Sequence, residues 1–243
     1  METEPVTPRT PRPVRRSLLV QRWEDLAFLH WAVDPAVVAP FLPTGTVPDT
    51  IDGVTYVGLI AFRMVGVGFL RGPGVPYFGT FCETNVRVYS VDPAGRRGVV
   101  FLSLDAARLL PVLIARAALA LPYMWSRMRI TRSGDLLRYT DRRFFSSAAS
   151  DLAIRIGEPV GTPSPLEHFL TARWGLHTRA GGRTLHLPND HPQWPLHRAE
   201  LLKLDDGLIT AAGLPAVNRP PDSVLYSPGV PVVFGAPEAL RPR

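Results

Sequence analysis

Every second side chain from residue 83 to residue 89 is polar or polar-tipped: Glu83, Asn85, Arg87 and Tyr89 alternate with Thr84, Val86 and Val88. Side chains of a strand alternate faces, so these four line one side while Cys82, Thr84, Val86 and Val88 line the other. Alternation alone describes a strand with one wet face. The next segment argues against that simple reading. After a turn at Asp92-Pro93-Ala94-Gly95 comes Val99-Val100-Phe101-Leu102, apolar at consecutive positions, the pattern of a strand covered on both faces. If the two pair as a hairpin, a carboxylate, an amide, a guanidinium and a phenol lie beside a buried strand. There they must satisfy one another or a ligand. A polar-lined pocket is the expectation.

The chain of 243 residues is long enough for one large domain or two small ones. No Ser/Gly-rich linker divides it, so one domain over residues 17–243 is expected. Residues 1–16 hold Pro5, Pro8, Pro11 and Pro13 with Arg9, Arg12, Arg15 and Arg16, a composition that reads as a disordered arm. The arm lacks the apolar stretch and small-residue site of a signal peptide. The formal charge of +6 sits largely in the arm and in Arg127, Arg129, Arg132, Arg138, Arg142 and Arg143. No nucleic-acid-binding motif accompanies it, so no specific nucleic-acid partner is expected. Cys82 is the only cysteine, which excludes an intrachain disulfide and a thiolate metal cluster. The longest apolar run, Leu109 to Leu121, is broken by Arg116 and too short to span a bilayer. A cytoplasmic protein with no membrane partner is the default, with homo-oligomerisation left open.

Residues 18–31 read as a bent strand, and Asp34-Pro35 as the cap and first residue of a short helix to about Leu42. Asp52-Gly53 marks a turn before a strand from Val54 to Val65, followed by a Gly/Pro-rich loop from Gly66 to Gly79. Residues 105–121 look helical, ended by Pro122 and apolar on nearly all sides. Arg116 in such a helix needs an anionic partner, for which Glu83 and Asp105 are candidates. Shorter strands are expected at 136–140, 152–156, 184–187 and 196–204. Ser164-Pro165-Leu166-Glu167 is a capping-box helix start whose stripe includes Trp174 and which Gly175 closes. Val230 to Phe234, with Pro231, suits an edge strand. The fold class is α+β: mainly antiparallel strands, a curved sheet or barrel, and about three helices.

Nucleotide fingerprints and the G-x-S-x-G elbow are absent. Five of the six histidines (His168, His177, His186, His191, His197) fall between 168 and 197 without metal-ligand spacing, so no metal is expected. Lys203, the sole lysine, is a conceivable Schiff-base group but reads as a snorkelling strand residue between Leu202 and Leu204. Tyr123, after Pro122, is suited either to donate to a substrate oxygen or to cap a polar cluster with Glu83 and Arg116.

Several segments carry a resemblance. Trp23-Glu24-Asp25-Leu26, Phe28-Leu29-His30-Trp31, Leu42-Pro43 and Phe81-Cys82-Glu83-Thr84-Asn85-Val86-Arg87-Val88-Tyr89 resemble the YqjF-like family of uncharacterised bacterial proteins. Ser103-Leu104-Asp105-Ala106, Leu121-Pro122-Tyr123, Phe169-Leu170, Arg173-Trp174, His191 and Trp194-Pro195-Leu196 continue the match in order. That family is grouped with acetoacetate decarboxylase-like folds, which implies a cone-shaped, mostly antiparallel barrel around an internal site. In the decarboxylases a Phe/Tyr-x-Glu strand motif supplies a pocket carboxylate, and Phe81-Cys82-Glu83 is similar. A Gly-Phe-Pro-Lys motif supplies their Schiff-base lysine, whereas the similar place here reads Ala120-Leu121-Pro122-Tyr123. Tyrosine forms no imine, so the resemblance implies the fold without that chemistry.

The resulting expectation is a protein that binds a small oxygenated metabolite and performs lysine-independent acid/base chemistry of an enolising, lyase or isomerase type, without a cofactor. Glu83 and Tyr123 are the catalytic candidates. Asn85, Arg87, Arg116, Tyr89 and His30 are the ligand-binding candidates. The alternative is a non-catalytic ligand-binding or sensory protein using the same pocket.

Overall fold

The computed structural model describes residues 3–70, 72, 74–77, 79–108 and 121–240. The polar-alternating segment is a strand, Phe81–Val91 (β4), and the apolar run after it is Arg97–Ala106 (β5). They pair antiparallel from Glu83 opposite Ala106 to Val91 opposite Arg97. Asp92 shapes the turn: its side chain accepts from the Ala94 and Arg96 amides, and its carbonyl accepts from Gly95. The hairpin inferred from the residue pattern is therefore present.

The other flank of β4 is Thr55–Phe69 (β3), which pairs with Leu19–Val33 (β1). Asp52 and Gly53, both at positive φ, turn the chain into β3. Beyond β5 come Tyr123–Ser133 (β6), Leu136–Arg143 (β7), Ala149–Pro159 (β8), His197–Asp206 (β11) and Ser223–Phe234 (β12), which returns to β1. Because β4 also pairs with β5, the order β5-β6-β7-β8-β11-β12-β1-β3-β4 closes on itself as a nine-stranded mixed barrel. Closure removes the free edges that an open sheet would expose. Gly175–Ala180 (β9) and Arg183–Asp190 (β10) bridge β5 to β12 beside it, and Val47–Pro48 (β2) and Glu238–Ala239 (β13) extend the sheet. Three α-helices are present among the described residues: Pro35–Val38 (α1), Pro165–Thr171 (α2) and Leu208–Ala211 (α3).

Several expectations change. The loop expected from Gly66 starts later, because β3 runs to Phe69. Asp105 and Ala106 end β5 instead of starting a helix, and the rest of that predicted helix, with Arg116, falls on residues 109–120, outside the described residues. Helix α2 carries both halves of its capping box but stops at Thr171, with Gly175 opening β9 and Trp174 lying beyond the helix. Strand β12 is interior to the sheet, yet Pro231 is accommodated. Strand β11 pairs with β12 only at Leu225 and Tyr226, and β10 only at Val233 and Phe234, so the missing proline amide falls in the gap between them. Residues 3–16, the described part of the arm, contain no helix or strand, and contacts reach from it to the sheet. The Glu4 carboxylate accepts from the Arg97 amide at 2.8 Å, and the Thr7 carbonyl accepts from the Trp174 indole at 3.3 Å.

The two faces of β4 look into different cores. Val86 and Val88 join Ala27, Leu29, Trp31, Val57 and Leu59 in the larger apolar cluster. The opposite face meets a second cluster of Phe28, Ile60, Phe62, Ala106 and Trp194, against which Trp23 and Tyr123 pack.

Candidate active site

Glu83, Asn85, Arg87 and Tyr89 are all buried on that second face of β4, as the alternation required. Tyr123 opens β6, whose parallel pairing with β5 puts it beside Leu104, and its hydroxyl donates to Glu83 Oε2 at 2.9 Å. Burial pushes the Glu83 carboxyl up to about 8, while hydrogen bonds from Tyr123 and the Asn85 amide pull the other way. Burial and the adjacent Glu83 hold the Tyr123 phenol well above its usual range. The pair therefore holds two exchangeable protons at neutral pH, with Glu83 the group poised to lose one. Asn85 Oδ1 has no hydrogen-bond partner among the described residues.

Arg87 lies four residues along the same face. Its Nη2 donates to the Leu170 carbonyl at 2.9 Å, while its Nε has no acceptor among the described residues. Among the described residues no carboxylate lies within ion-pair reach of Arg87, and residues 109–120 contain no Asp or Glu. A buried guanidinium without an anion is costly. Gly58 lets this side chain lie flat across β3: a Cβ there would sit 3.2 Å from Arg87 Cγ and 3.0 Å from His30 Cδ2.

Tyr89 and His30 occupy each other. The Tyr89 hydroxyl lies 2.8 Å from His30 Nε2 and donates to the Leu170 carbonyl at 2.9 Å. Burial, then Arg87 and Arg173, drive the His30 imidazole well below its normal range, so it is neutral. These two candidates form a wall beside Arg87. Of the expected site residues, then, the fold brings Glu83, Tyr123, Asn85 and Arg87 onto one face, with Tyr89 and His30 at its end, while Arg116 lies outside the described residues.

Two features escaped the residue pattern. Arg173, just after α2, is buried against the rings of Tyr89 and Phe169, 4.5 and 4.2 Å from their centroids. It donates through Nε to the Phe169 carbonyl and pairs with the buried Asp49, which also pairs with Arg97. Asp105, which had been a candidate partner for Arg116, instead accepts from Arg143 Nε at 2.6 Å, Ser103 at 2.7 Å and Ser126 at 2.9 Å. Asp141 shares this second polar cluster, and burial beside Asp105 raises its carboxyl to about 8. No local spacing links 49 to 173 or 105 to 143, so only the closed barrel reveals either pair.

Lys203 lies on β11, half-exposed and paired with Asp151, outside these clusters. The grouped histidines divide among elements: His168 in α2, His177 in β9, His186 in β10 and His197 in β11. Among the described residues no group of three or more His, Cys, Asp or Glu side chains has metal-binding geometry. No helix among them is long and apolar enough to cross a membrane.

Similarity to known proteins agrees with this architecture. Acetoacetate decarboxylase from Legionella pneumophila superposes with a TM-score of 0.64 at 13% identity, over 96% of this chain and 92% of that one. An acetoacetate decarboxylase-like enzyme from Sphingomonas wittichii RW1 gives 0.64 at 13% identity over 93% of each chain. The enduracididine biosynthesis enzyme MppR complexed with pyruvate gives 0.64 at 11% identity, covering 96% of this chain and 93% of that one. These likenesses establish an acetoacetate decarboxylase-like fold. In sequence, the chain is 31% identical to the uncharacterized protein YqjF of Bacillus subtilis (strain 168) over 189 residues, 75% of this chain and 76% of that protein. The model of the uncharacterized conserved protein family DUF2071 matches residues 20–231, and the chain belongs to that family.

Proposed function

We propose that this protein binds a small carbonyl-containing anion and moves a proton at the carbon next to its carbonyl, without an imine. The observation that carries the reading is the buried face of β4 on which Glu83, bonded to Tyr123 of β6, stands with Arg87, which has no carboxylate partner among the described residues. Arg87 binds the anionic group. Tyr123 donates to the carbonyl oxygen, and the deprotonated fraction of Glu83 accepts the C–H proton. The C–H electron pair becomes the enolate double bond, and return of the proton to carbon completes an isomerisation or exchange. A carboxyl near pH 8 suits this role, because a general base works best when its pKa lies near the working pH. A buried phenol that turns its donor from Glu83 to the carbonyl oxygen stabilises the charge developing there. The absence of a lysine at the Tyr123 position and the exposed place of Lys203 direct the chemistry away from Schiff bases. The acetoacetate decarboxylase-like neighbours and the pyruvate bound in MppR support a small oxo acid as the ligand class.

A thermal-shift screen of small oxo acids and related metabolites, on wild type and on a Glu83→Gln, Tyr123→Phe double variant, tests this reading. A ligand that binds only the folded state raises its midpoint by mass action. The expected result is an oxo acid that stabilises the wild type and shows turnover that Glu83→Gln abolishes while binding persists. Loss of affinity alone in Glu83→Gln would make the row a recognition surface in a non-catalytic binding protein. No shift in wild type, with the double variant merely destabilised, would reduce the row to a structural network.

A further inference from the structure

Resting on that reading, a second observation narrows the ligand. A narrow cavity of about 30 Å³ adjoins Arg87, and Trp23, Arg173, Asn189, His191 and Trp194 help to line it. Four of these residues carry a buried polar atom with no hydrogen-bond partner among the described residues: Trp23 Nε1, Arg87 Nε, Arg173 Nη2 and Asn189 Oδ1. Buried donors and acceptors are almost always satisfied, and their unsatisfied members mark places where a water, ion or ligand belongs. Four around one cavity is a concentration that ordinary packing does not require.

The chemistry of the four is asymmetric. Three are N–H donors and two of those are cationic, while the fourth is an amide oxygen that accepts. Asp49 serves both Arg97 and Arg173, and Arg87 has no carboxylate among the described residues, so positive charge remains uncompensated beside the cavity. His191 adds none: burial brings its imidazole down to about 4, and it lies between the Trp174 and Trp194 rings at 4.5 and 4.9 Å. Trp23 and Trp194 stack at 5.9 Å and an interplanar angle of 12°, forming a flat apolar wall. Trp194 belongs to the apolar cluster against which Trp23 and Tyr123 both pack, and Arg87, on the same face of β4 as Glu83, lines the cavity.

We propose that Arg87, Arg173 and Trp23 form a carboxylate subsite, and that Asn189 accepts a hydrogen bond from a hydroxyl or amino group on the same ligand. The substrate class is then a small carboxylate bearing both a donor group and the reactive carbonyl.

Isothermal titration calorimetry with lactate, propionate, 1,2-propanediol and inorganic phosphate separates the parts, on the full-length protein and on Glu83→Gln, Trp23→Phe and Asn189→Ala. Lactate carries the carboxylate and the donor, and propionate only the carboxylate. Wild type and Glu83→Gln are expected to bind lactate equally, at least tenfold tighter than propionate, with no binding of the diol. Trp23→Phe removes one charge-assisted hydrogen bond while keeping an aromatic, though smaller, ring, and should weaken both acids about tenfold. Asn189→Ala should erase the preference for lactate and leave propionate unchanged. Carboxylate binding that neither variant alters overturns the subsite while leaving the Arg87 reading standing. Tighter binding of phosphate than of either acid overturns the assignment to carboxylates, and no carboxylate binding to wild type at tens of millimolar overturns the subsite outright. Failure of turnover with this binding pattern intact would count against the proton-transfer reading alone.

Discussion

At Glu83 the energetic question is which protonation state the fold holds. The side chain is buried with an exposure of 3%, bonded to Tyr123, and lifted to about 8 by burial. In the unfolded chain it would titrate near its ordinary value of 4.5. Between those two values the folded state holds a proton that the unfolded state has released. Stability from this group is therefore complete below pH 4.5 and is lost as pH rises through about 8. Each pKa unit of displacement corresponds to about 1.4 kcal/mol. Glu83→Gln, which keeps the shape and cannot ionise, should be less sensitive to that rise and gain on the wild type by more than about 1 kcal/mol at pH 8.5. Urea denaturation at pH 5 and pH 8.5 measures the difference, with Asp141 left to supply the remaining slope in both proteins. Equal slopes for the two proteins would place Glu83 in contact with water. The residues of this site were legible because strand alternation is strictly periodic, so the residue pattern alone placed Glu83, Asn85, Arg87 and Tyr89 on one face. Arg173 and Asn189 were not legible as pocket residues: each lies in a short segment whose polar character carries no periodic signal.

At the scale of elements, the bend in β1 is what turns the sheet over this site. Asp25 takes a positive φ of 50°, and the register with β3 shifts between Glu24 and Ala27. Such bulges bend a strand and sharpen its twist. Strand β12 fits the bend because Gly229, at φ 121°, lies opposite Glu24, where a Cβ would fall 1.9 Å from the Trp23 carbonyl oxygen. Gly229→Ala should therefore cost at least about 3 kcal/mol, since both the backbone angle and the contact resist a side chain. The check is a urea-unfolding midpoint beside that of an exposed control, Gly161→Ala, at a position with nothing within 4 Å. A control-sized effect would mean that β1 is not locked against β12. Bent β1 and the β4–β5 hairpin could be read from apolar runs and turn residues. Strand β6 could not. Arg127, Arg129 and Thr131 alternate with Met128 and Ile130, but the run of arginines reads as a basic surface until β7 pairs beside it. Asp105 and Ala106 misled for the opposite reason: they follow an apolar run, which has no period that separates a buried strand end from a helix start.

For the whole molecule, closure of the barrel joins residues that are remote along the chain. Asp49 meets Arg173, and Asp105 on β5 meets Arg143 on β7. These pairs are long-range consequences of topology, and no window of the chain foreshadows them. The barrel also gives β4 two buried faces, one apolar around Val86 and Val88 and one polar from Glu83 to Tyr89. A scaffold of that kind holds the candidate groups on strands instead of loops, which limits their motion. It also explains how the acetoacetate decarboxylase-like fold persists here without a lysine beside Glu83: the fold needs the buried face, and the chemistry is set by whichever groups stand on it. The central claim is that those groups move a proton at carbon. Its most direct test is proton-NMR observation of solvent deuterium exchange into the carbon next to the carbonyl of an oxo acid that stabilises the wild type. Exchange faster than the buffer rate, falling at least about 100-fold in Glu83→Gln with binding retained, is the predicted result. Exchange at the buffer rate in wild type, or unchanged exchange in Glu83→Gln, would contradict it.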